Sequence, residues 1–97
     1  MLTGKQRAYL RKLSHGLPVK YQIGKGGFDS DAFLNQLSEG LEKNELIKLR
    51  VLDNADLIPR EASDRLSELL GCDAVQTIGN VIVLFRPSQE DPQIILP

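Results

Sequence analysis

The segment Gly24-Lys25-Gly26-Gly27 carries residue types that suit the binding of phosphate groups. Glycines let a backbone approach a sugar-phosphate chain without a Cβ clash, and Lys25 adds a positive charge. A tight turn between a strand and a helix is an equally simple explanation of the same residues. Neither common nucleotide-binding fingerprint fits, because Asp29 stands where a dinucleotide site needs its third glycine and no Gly-Lys-Ser/Thr follows as in a P-loop.

Positive charge is concentrated at the start of the chain. Of the twelve Lys and Arg residues, six precede position 29, whereas none of the thirteen Asp and Glu residues does. The net charge of −1 therefore conceals a basic first part and an acidic remainder. Uncompensated positive charge beside a glycine loop favours a phosphate-rich partner, and we expect RNA. The candidate RNA-binding residues are Gly24, Lys25, Gly26, Gly27, Lys5, Arg7, Arg11, Lys12 and Lys20.

Other kinds of chemistry find little support in the residue types. The single histidine, His15, and the single cysteine, Cys72, are far apart in sequence, so no local motif pairs a nucleophile with a base or repeats a metal-ligand spacing. We therefore predict no enzyme activity, no metal and no cofactor. One cysteine, no apolar run of membrane-spanning length and no signal peptide predict a cytoplasmic protein without a membrane partner. We also expect a monomer with no small-molecule substrate.

The first predicted helix would position most of the basic residues. It begins at a capping box formed by Thr3 and Gln6 and ends at about Ser14. Helical periodicity places Gln6, Tyr9, Leu10 and Leu13 on the packed side, with Tyr9 in the core. The opposite side carries Lys5, Arg7, Arg11, Lys12 and His15. Because these like charges have no acidic i,i+4 partner within the helix, we expect binding to compensate for their repulsion.

The remaining elements alternate along the chain. We predict a strand at 19–23, then a second helix that Asp29, Ser30 or Asp31 could cap and that ends before Asn44 or Glu45. A strand at 46–52 follows, and then a third helix that begins between 56 and 61 and stops at Gly71. Strands at 74–78 and 81–85 are joined by the hairpin turn Gly79-Asn80. The order α-β-α-β-α-β-β predicts a single α/β (α+β) domain over residues 1–87, with three helices on a mixed four-stranded sheet. Residues 88–97 are predicted to form a C-terminal tail.

Two details affect the predicted binding surface. Asp29 and Asp31 lie where the second helix begins and would repel a phosphate placed on its first amides, so contacts are expected at the loop rather than at the helix tip. Lys48 and Arg50 would project from the second strand away from its apolar side. A sheet edge or a solvated sheet face explains these two residues more simply than RNA contact does.

Several segments resemble the CRM domain family, named for chloroplast RNA splicing and ribosome maturation. They include Leu2-Thr3-Gly4-Lys5-Gln6-Arg7, Ile23-Gly24-Lys25-Gly26-Gly27 and Val83-Leu84-Phe85-Arg86-Pro87, in matching order over residues 1–88. The length resembles the stand-alone bacterial YhbY-type form. The resemblance implies a fold similar to the C-terminal domain of translation initiation factor three and RNA binding centred on the GxxG loop without catalysis. It also implies association with precursors of the large ribosomal subunit.

Two functional hypotheses follow. In the first, the protein binds structured ribosomal RNA through the GxxG loop and the basic helix, and assists assembly and maturation of the large subunit. In the alternative, the protein is an adaptor whose basic helix docks on an acidic, ribosome-associated protein. Excess ribosomal RNA should displace an RNA binder from its target but leave an adaptor complex intact.

Overall fold

The computed structural model describes residues 2–28 and 30–97, and its elements follow the predicted order. They are helix α1 (Gly4–Ser14), strand β1 (Tyr21–Ile23), helix α2 (Asp31–Asn44), strand β2 (Leu46–Val51), a short 3-10 turn (Asp53–Ala55), helix α3 (Pro59–Leu70), strand β3 (Asp73–Ile78) and strand β4 (Val81–Phe85). The predicted fold class, an α+β domain with three helices and a mixed four-stranded sheet, is confirmed.

The sheet has the spatial order β1-β2-β4-β3. β1 runs parallel to β2, as expected for two strands joined by a helix, and the other two pairs are antiparallel. β4, the last strand in sequence, therefore lies inside the sheet and β3 lies at an edge. A register shift between Ala74 and Gln76 interrupts the β3–β4 pairing.

The helices divide between the two faces of the sheet, so the domain has two apolar cores. α2 and α3 cover one face, with Leu37, Leu41 and Leu66 packed on inward residues of β2 and β4. α1 lies on the opposite face, where Leu10 packs against Leu46, Val75, Val83 and Phe85.

The capping box of α1 is confirmed, but its predicted packed side was wrong in part. The Gln6 amide N–H donates to Thr3 Oγ1, and the Thr3 amide N–H donates to Gln6 Oε1, each at 3.1 Å. The buried residues of the helix are Leu10 and Ser14, whereas Tyr9 and Leu13 are each 38% exposed. The helix therefore packs on the sheet through the side that carries Leu10 and Ser14, and not through the side that carries Tyr9 and Leu13.

β1 is shorter than predicted, since it begins at Tyr21 instead of Val19. The Lys20 amide N–H donates to the Lys48 carbonyl at 3.3 Å, just before the regular pairing of β1 with β2 begins. The predicted start of α2 falls partly on Asp29, which lies outside the described residues. Ser30 is the N-cap, and its Oγ accepts a 3.2 Å hydrogen bond from the Phe33 amide.

Residues 88–97 form no helix or strand but lie against the domain. Glu45, which follows α2 and is only 2% exposed, holds this segment with its carboxylate. It accepts hydrogen bonds from the backbone N–H groups of Ser88 (2.8 Å), Gln93 (2.9 Å) and Ile94 (2.8 Å). Ile94 and Leu96 then pack against the Leu10 core. The segment is therefore tied both to α2 and to the core beneath α1.

The pKa of Glu45 lies below its ordinary value of 4.5. Burial raises this pKa, but the hydrogen bonds from Ser88, Ile94 and Gln93 outweigh burial and lower it. A carboxyl group whose pKa is lower in the folded state stabilises the fold above its unfolded-state pKa. That stabilisation is lost as the pH falls through the lowered value.

We predict that Glu45→Ala lowers the free energy of unfolding by roughly 2–4 kcal/mol, because it leaves three backbone N–H donors without a charged acceptor. The melting temperature should fall by about 10 °C or more in a thermal melt at pH 7. The difference from the unsubstituted protein should shrink as the pH falls through the lowered pKa of Glu45, because the wild-type carboxylate is then itself protonated.

Glu39→Ala is the matched control, because Glu39 is an exposed residue of α2, the helix that Glu45 follows. We expect it to change the free energy of unfolding by less than about 0.5 kcal/mol. Equal melting temperatures for the two variants would contradict a structural role for the Glu45 carboxylate.

Candidate nucleic-acid interface

The GxxG segment forms a tight turn directly after β1. The Gly27 amide N–H donates to the Gly24 carbonyl at 2.9 Å, and Lys25 and Gly26 occupy the two exposed corners. Gly27 has a φ of 74°, in the left-handed region that favours glycine. The turn therefore presents one lysine and a bare stretch of backbone to solvent.

Gly26 has no structural reason to be glycine in the isolated domain. Its φ is not in the left-handed region, and a Cβ placed on it would meet nothing within 4 Å. A Cβ on Gly24 would make only ordinary contact, 3.8 Å from Leu52 Cδ1. Of the loop glycines, the fold thus requires Gly27 most clearly, and the bare backbone at Gly26 is available for close approach by a ligand.

The predicted basic contacts separate into exposed and half-buried residues. Lys5, Lys12, Lys20 and Lys25 are exposed, whereas Arg7 and Arg11 are half-buried where α1 meets the sheet. Nη1 of Arg7 donates to the carbonyl oxygen of Ala74 in β3. Arg7 therefore already binds the protein's own backbone, and the four lysines carry the freely accessible charge.

Lys48 and Arg50 lie on the side of β2 that faces α1, but their environments differ. Lys48 is half-buried, and its Nζ donates to the Ser14 carbonyl at the end of α1 at 3.1 Å. The same carbonyl also accepts a 3.0 Å hydrogen bond from the Leu17 amide N–H, so the cation adds a second donor at the helix end and interacts favourably with the helix dipole. Arg50 is exposed beside it. The expectation of a solvated face is thus wrong for Lys48, which positions α1.

The GxxG loop lies at the same end of the sheet as two other turns. The Leu52 amide N–H donates to the Ile23 carbonyl at 2.9 Å, and the Val51 amide N–H donates to the Asn80 carbonyl at 2.7 Å. These bonds align the end of β1, the end of β2 and the β3–β4 hairpin turn. Gln22 is paired with Arg50, and Gly24 follows Gln22 by two residues. The loop therefore begins about 7 Å along the chain from the Gln22–Arg50 pair.

Acidic residues bound the loop on its other sides. Asp31 is exposed in the first turn of α2, as the sequence predicts, while the expectation for Asp29 lies outside the described residues. Asp53 and Asp56 line a depression beyond the end of β2. A polyanion approaching the loop would therefore be repelled from these sides and favoured on the side of α1.

The described residues offer little for covalent or metal chemistry. Burial raises the pKa of the Cys72 thiol to about 11, so it stays protonated at neutral pH and is a weak nucleophile. Within residues 2–28 and 30–97, no cluster of three or more His, Cys, Asp and Glu side chains could hold a metal ion. No helix in this part of the chain is long and apolar enough to span a membrane.

Comparison with known proteins identifies the family. The sequence pattern of the CRS1/YhbY (CRM) domain matches residues 2–86. The chain belongs to the CRS1/YhbY (CRM) domain family. It is 44% identical over 97 residues to a Bacillus subtilis protein named "Probable RNA-binding protein YqeI", with all of both chains covered. A Haemophilus influenzae protein named "RNA-binding protein" is 33% identical over 93 residues, which cover 92% of this chain and 89% of the relative.

A solved structure supports the same grouping for this CRM domain. The solution structure of the Staphylococcus aureus protein SAV1595, described as "a putative RNA binding protein", superimposes with a TM-score of 0.77. Its sequence is 42% identical, and the match covers the whole of both chains. The named relatives and the solved structure are described by RNA binding.

Gly26 and Gly27 should respond differently to substitution. We predict that Gly27→Ala lowers the free energy of unfolding by about 1 kcal/mol, because alanine is strained at its positive φ. Gly26→Ala should leave stability unchanged within about 0.5 kcal/mol, because neither its φ nor its surroundings disfavour a Cβ. Urea denaturation of both variants measures the difference. A larger loss for Gly26→Ala would mean that the fold itself requires Gly26.

Proposed function

We propose that this CRM domain binds structured ribosomal RNA and assists assembly and maturation of the large ribosomal subunit. The sugar-phosphate backbone would lie on the Gly24–Gly27 loop, where Lys25 neutralises a phosphate. Lys12 and Lys5 on α1 and Lys20 before β1 would bind neighbouring phosphates. In this proposal the domain acts as a monomer, in the cytoplasmic compartment where bacterial ribosomes are assembled.

The observation that carries the proposal is the bare, exposed backbone at Gly26 beside the charged Lys25. Space at a glycine that the fold does not need is what close backbone contact with a nucleotide requires. The absence of any acidic residue in α1 adds a helix of uniform positive charge. The names of the relatives agree with an RNA partner.

Charge reversal at the loop and on the helix tests the proposal. We predict that Lys25→Glu and Lys12→Glu each weaken binding to a ribosomal RNA fragment by about tenfold or more while leaving the melting temperature nearly unchanged, since both side chains are exposed. Gly26→Ala should also weaken binding without loss of stability. Fluorescence anisotropy at several salt concentrations measures the effects. Four lysines that each bind one phosphate predict a log–log salt slope of roughly −3 to −4.

Arg65→Glu is the control for these variants, because Arg65 is exposed on α3, on the opposite face of the sheet. It should bind RNA as the unsubstituted protein does. A salt slope near zero, or equal losses from Arg65→Glu and Lys25→Glu, would contradict an electrostatic interface on the α1 side. Retention of a protein complex in the presence of excess ribosomal RNA would favour the adaptor hypothesis instead.

The ribosomal target is tested by sedimentation of a cell lysate through a sucrose gradient. We expect the protein to migrate with particles slightly lighter than the mature large subunit, and Lys25→Glu to shift it toward the top of the gradient. The Arg65→Glu variant should stay with the particles. If the unsubstituted protein remains at the top even in low salt, its RNA target is not a ribosomal precursor.

A further inference from the structure

α1 covers only one end of its sheet face, and the other end is open. The open end is a row of four paired residues, one from each strand: Gln22 pairs with Arg50, Arg50 with Val81, and Val81 with Ile78. Their side chains point to the α1 side, because the alternate residues of β1, β2 and β4 belong to the core under α2 and α3, and Ile78 of β3 is paired with Val81. Ile78 is 59% exposed, Gln22 and Arg50 are exposed, and Val81 is half-buried.

Three residues of this row, Arg50, Val81 and Ile78, line the floor of a depression with a volume of about 270 Å³, and Gln22 lies beside it in β1. The end of α1 forms one wall, through Ser14 and His15, and Val19 in the connection to β1 borders it as well. Three other lining residues, Lys48, Gln76 and Val83, belong to the neighbouring row of the sheet. The open end therefore lies between the basic helix and the turns at the end of the sheet.

The chemistry of the depression fits a nucleotide better than a purely apolar ligand. Its charged and titratable lining residues are His15, Lys48 and Arg50, and none of the described lining residues is acidic. Positive charge at the rim suits phosphate groups. The aliphatic side chains of Ile78, Val81 and Val19 suit the flat, apolar faces of bases. Such contacts do not depend on which base is bound.

Base faces are accessible only in unpaired RNA, because in a duplex they are stacked on neighbouring pairs. The GxxG loop begins two residues after Gln22, so a strand crossing the floor would reach the loop within about one nucleotide. A continuous path thus runs from His15 over Arg50 to Lys25. Asp53 and Asp56 lie beyond the sheet end and would exclude phosphates from the far side.

We propose that the sheet floor formed by Arg50, Val81 and Ile78 holds unpaired RNA nucleotides, with phosphates bound by Arg50 and His15 and bases lying on Ile78 and Val81. This inference rests on the proposed function and deepens it. It assigns the loop to the backbone of the RNA and the floor to its bases. The domain would accordingly bind a structured RNA at a loop or a single-stranded junction.

Two substitutions with matched controls test the floor in the full chain. Ile78→Asp places a carboxylate on the floor, whereas Thr77→Asp places the same group on the adjacent exposed residue of β3, which points to the other sheet face. Arg50→Gln removes the floor cation, and Arg65→Gln removes an exposed arginine on α3. The probes are a 12-nucleotide single-stranded RNA and a fully paired hairpin of the same composition, measured by fluorescence anisotropy.

We expect Ile78→Asp and Arg50→Gln to weaken binding of the single-stranded probe by about five- to tenfold, and both controls to bind as the unsubstituted protein does. The paired hairpin should bind more weakly than the single strand and should respond less to Ile78→Asp. Thermal melts establish that the variants are folded. In addition, a probe containing 4-thiouridine should crosslink the unsubstituted protein within β2 or the β3–β4 hairpin.

The outcomes that would refute the proposed role of the sheet floor differ from those that would refute RNA binding. Weakened binding by Lys25→Glu, together with unchanged binding by Ile78→Asp and crosslinks confined to α1 and the loop, would refute the floor and leave the proposed function standing. Equal affinity for the paired hairpin, with equal losses on both probes, would refute the preference for unpaired RNA. No binding of any RNA by the unsubstituted protein would refute the proposed function itself.

Discussion

The placement of α1 on the sheet is the constraint on which the rest of the binding surface depends. Leu10 anchors the helix in the second core, Lys48 binds the Ser14 carbonyl at one end, and Arg7 binds the Ala74 carbonyl near the other. Two cations are thereby used to hold the helix, and the exposed lysines remain for a ligand. The same placement leaves one end of the sheet uncovered, which creates the depression beside His15.

The C-terminal segment, residues 88–97, also helps to hold α1 in this position. The Arg86 amide N–H donates to the Glu45 carbonyl at 2.9 Å, and the Glu45 carboxylate fixes the backbone from Ser88 to Ile94. Ile94 and Leu96 then complete the core beneath α1. Arg86 also joins α2 and α3, because its guanidinium donates to the Ser38 and Leu70 carbonyls. One short region after β4 therefore links both layers of helices, so loosening it would disturb the basic helix.

Local sequence signals predicted the elements well but predicted their mutual arrangement poorly. The Thr3–Gln6 capping box, the glycine turn and the Gly79-Asn80 hairpin depend on neighbouring residues and were identified from spacing alone. The orientation of α1 was predicted wrongly in part. Helical periodicity gives Tyr9 and Leu13 the same weight as Leu10, although only Leu10 of these three residues is buried. The burial of Glu45 gives no local signal either, since its partners lie more than forty residues away. The open floor became visible only once the strand register was known.

The distribution of charge across the domain gives the two faces different roles toward a polyanion. α2 and α3 together carry six carboxylates (Asp31, Glu39, Glu42, Glu61, Asp64 and Glu68) against three cations (Lys43, Arg60 and Arg65), whereas α1 carries four cations and no acid. Since these helices lie on opposite sides of the sheet, the field of a polyanion would turn the domain before contact. The near-zero net charge hides this polarity. An RNA would attract the α1 side and repel the α2–α3 side, so the loop and the sheet floor would meet it first.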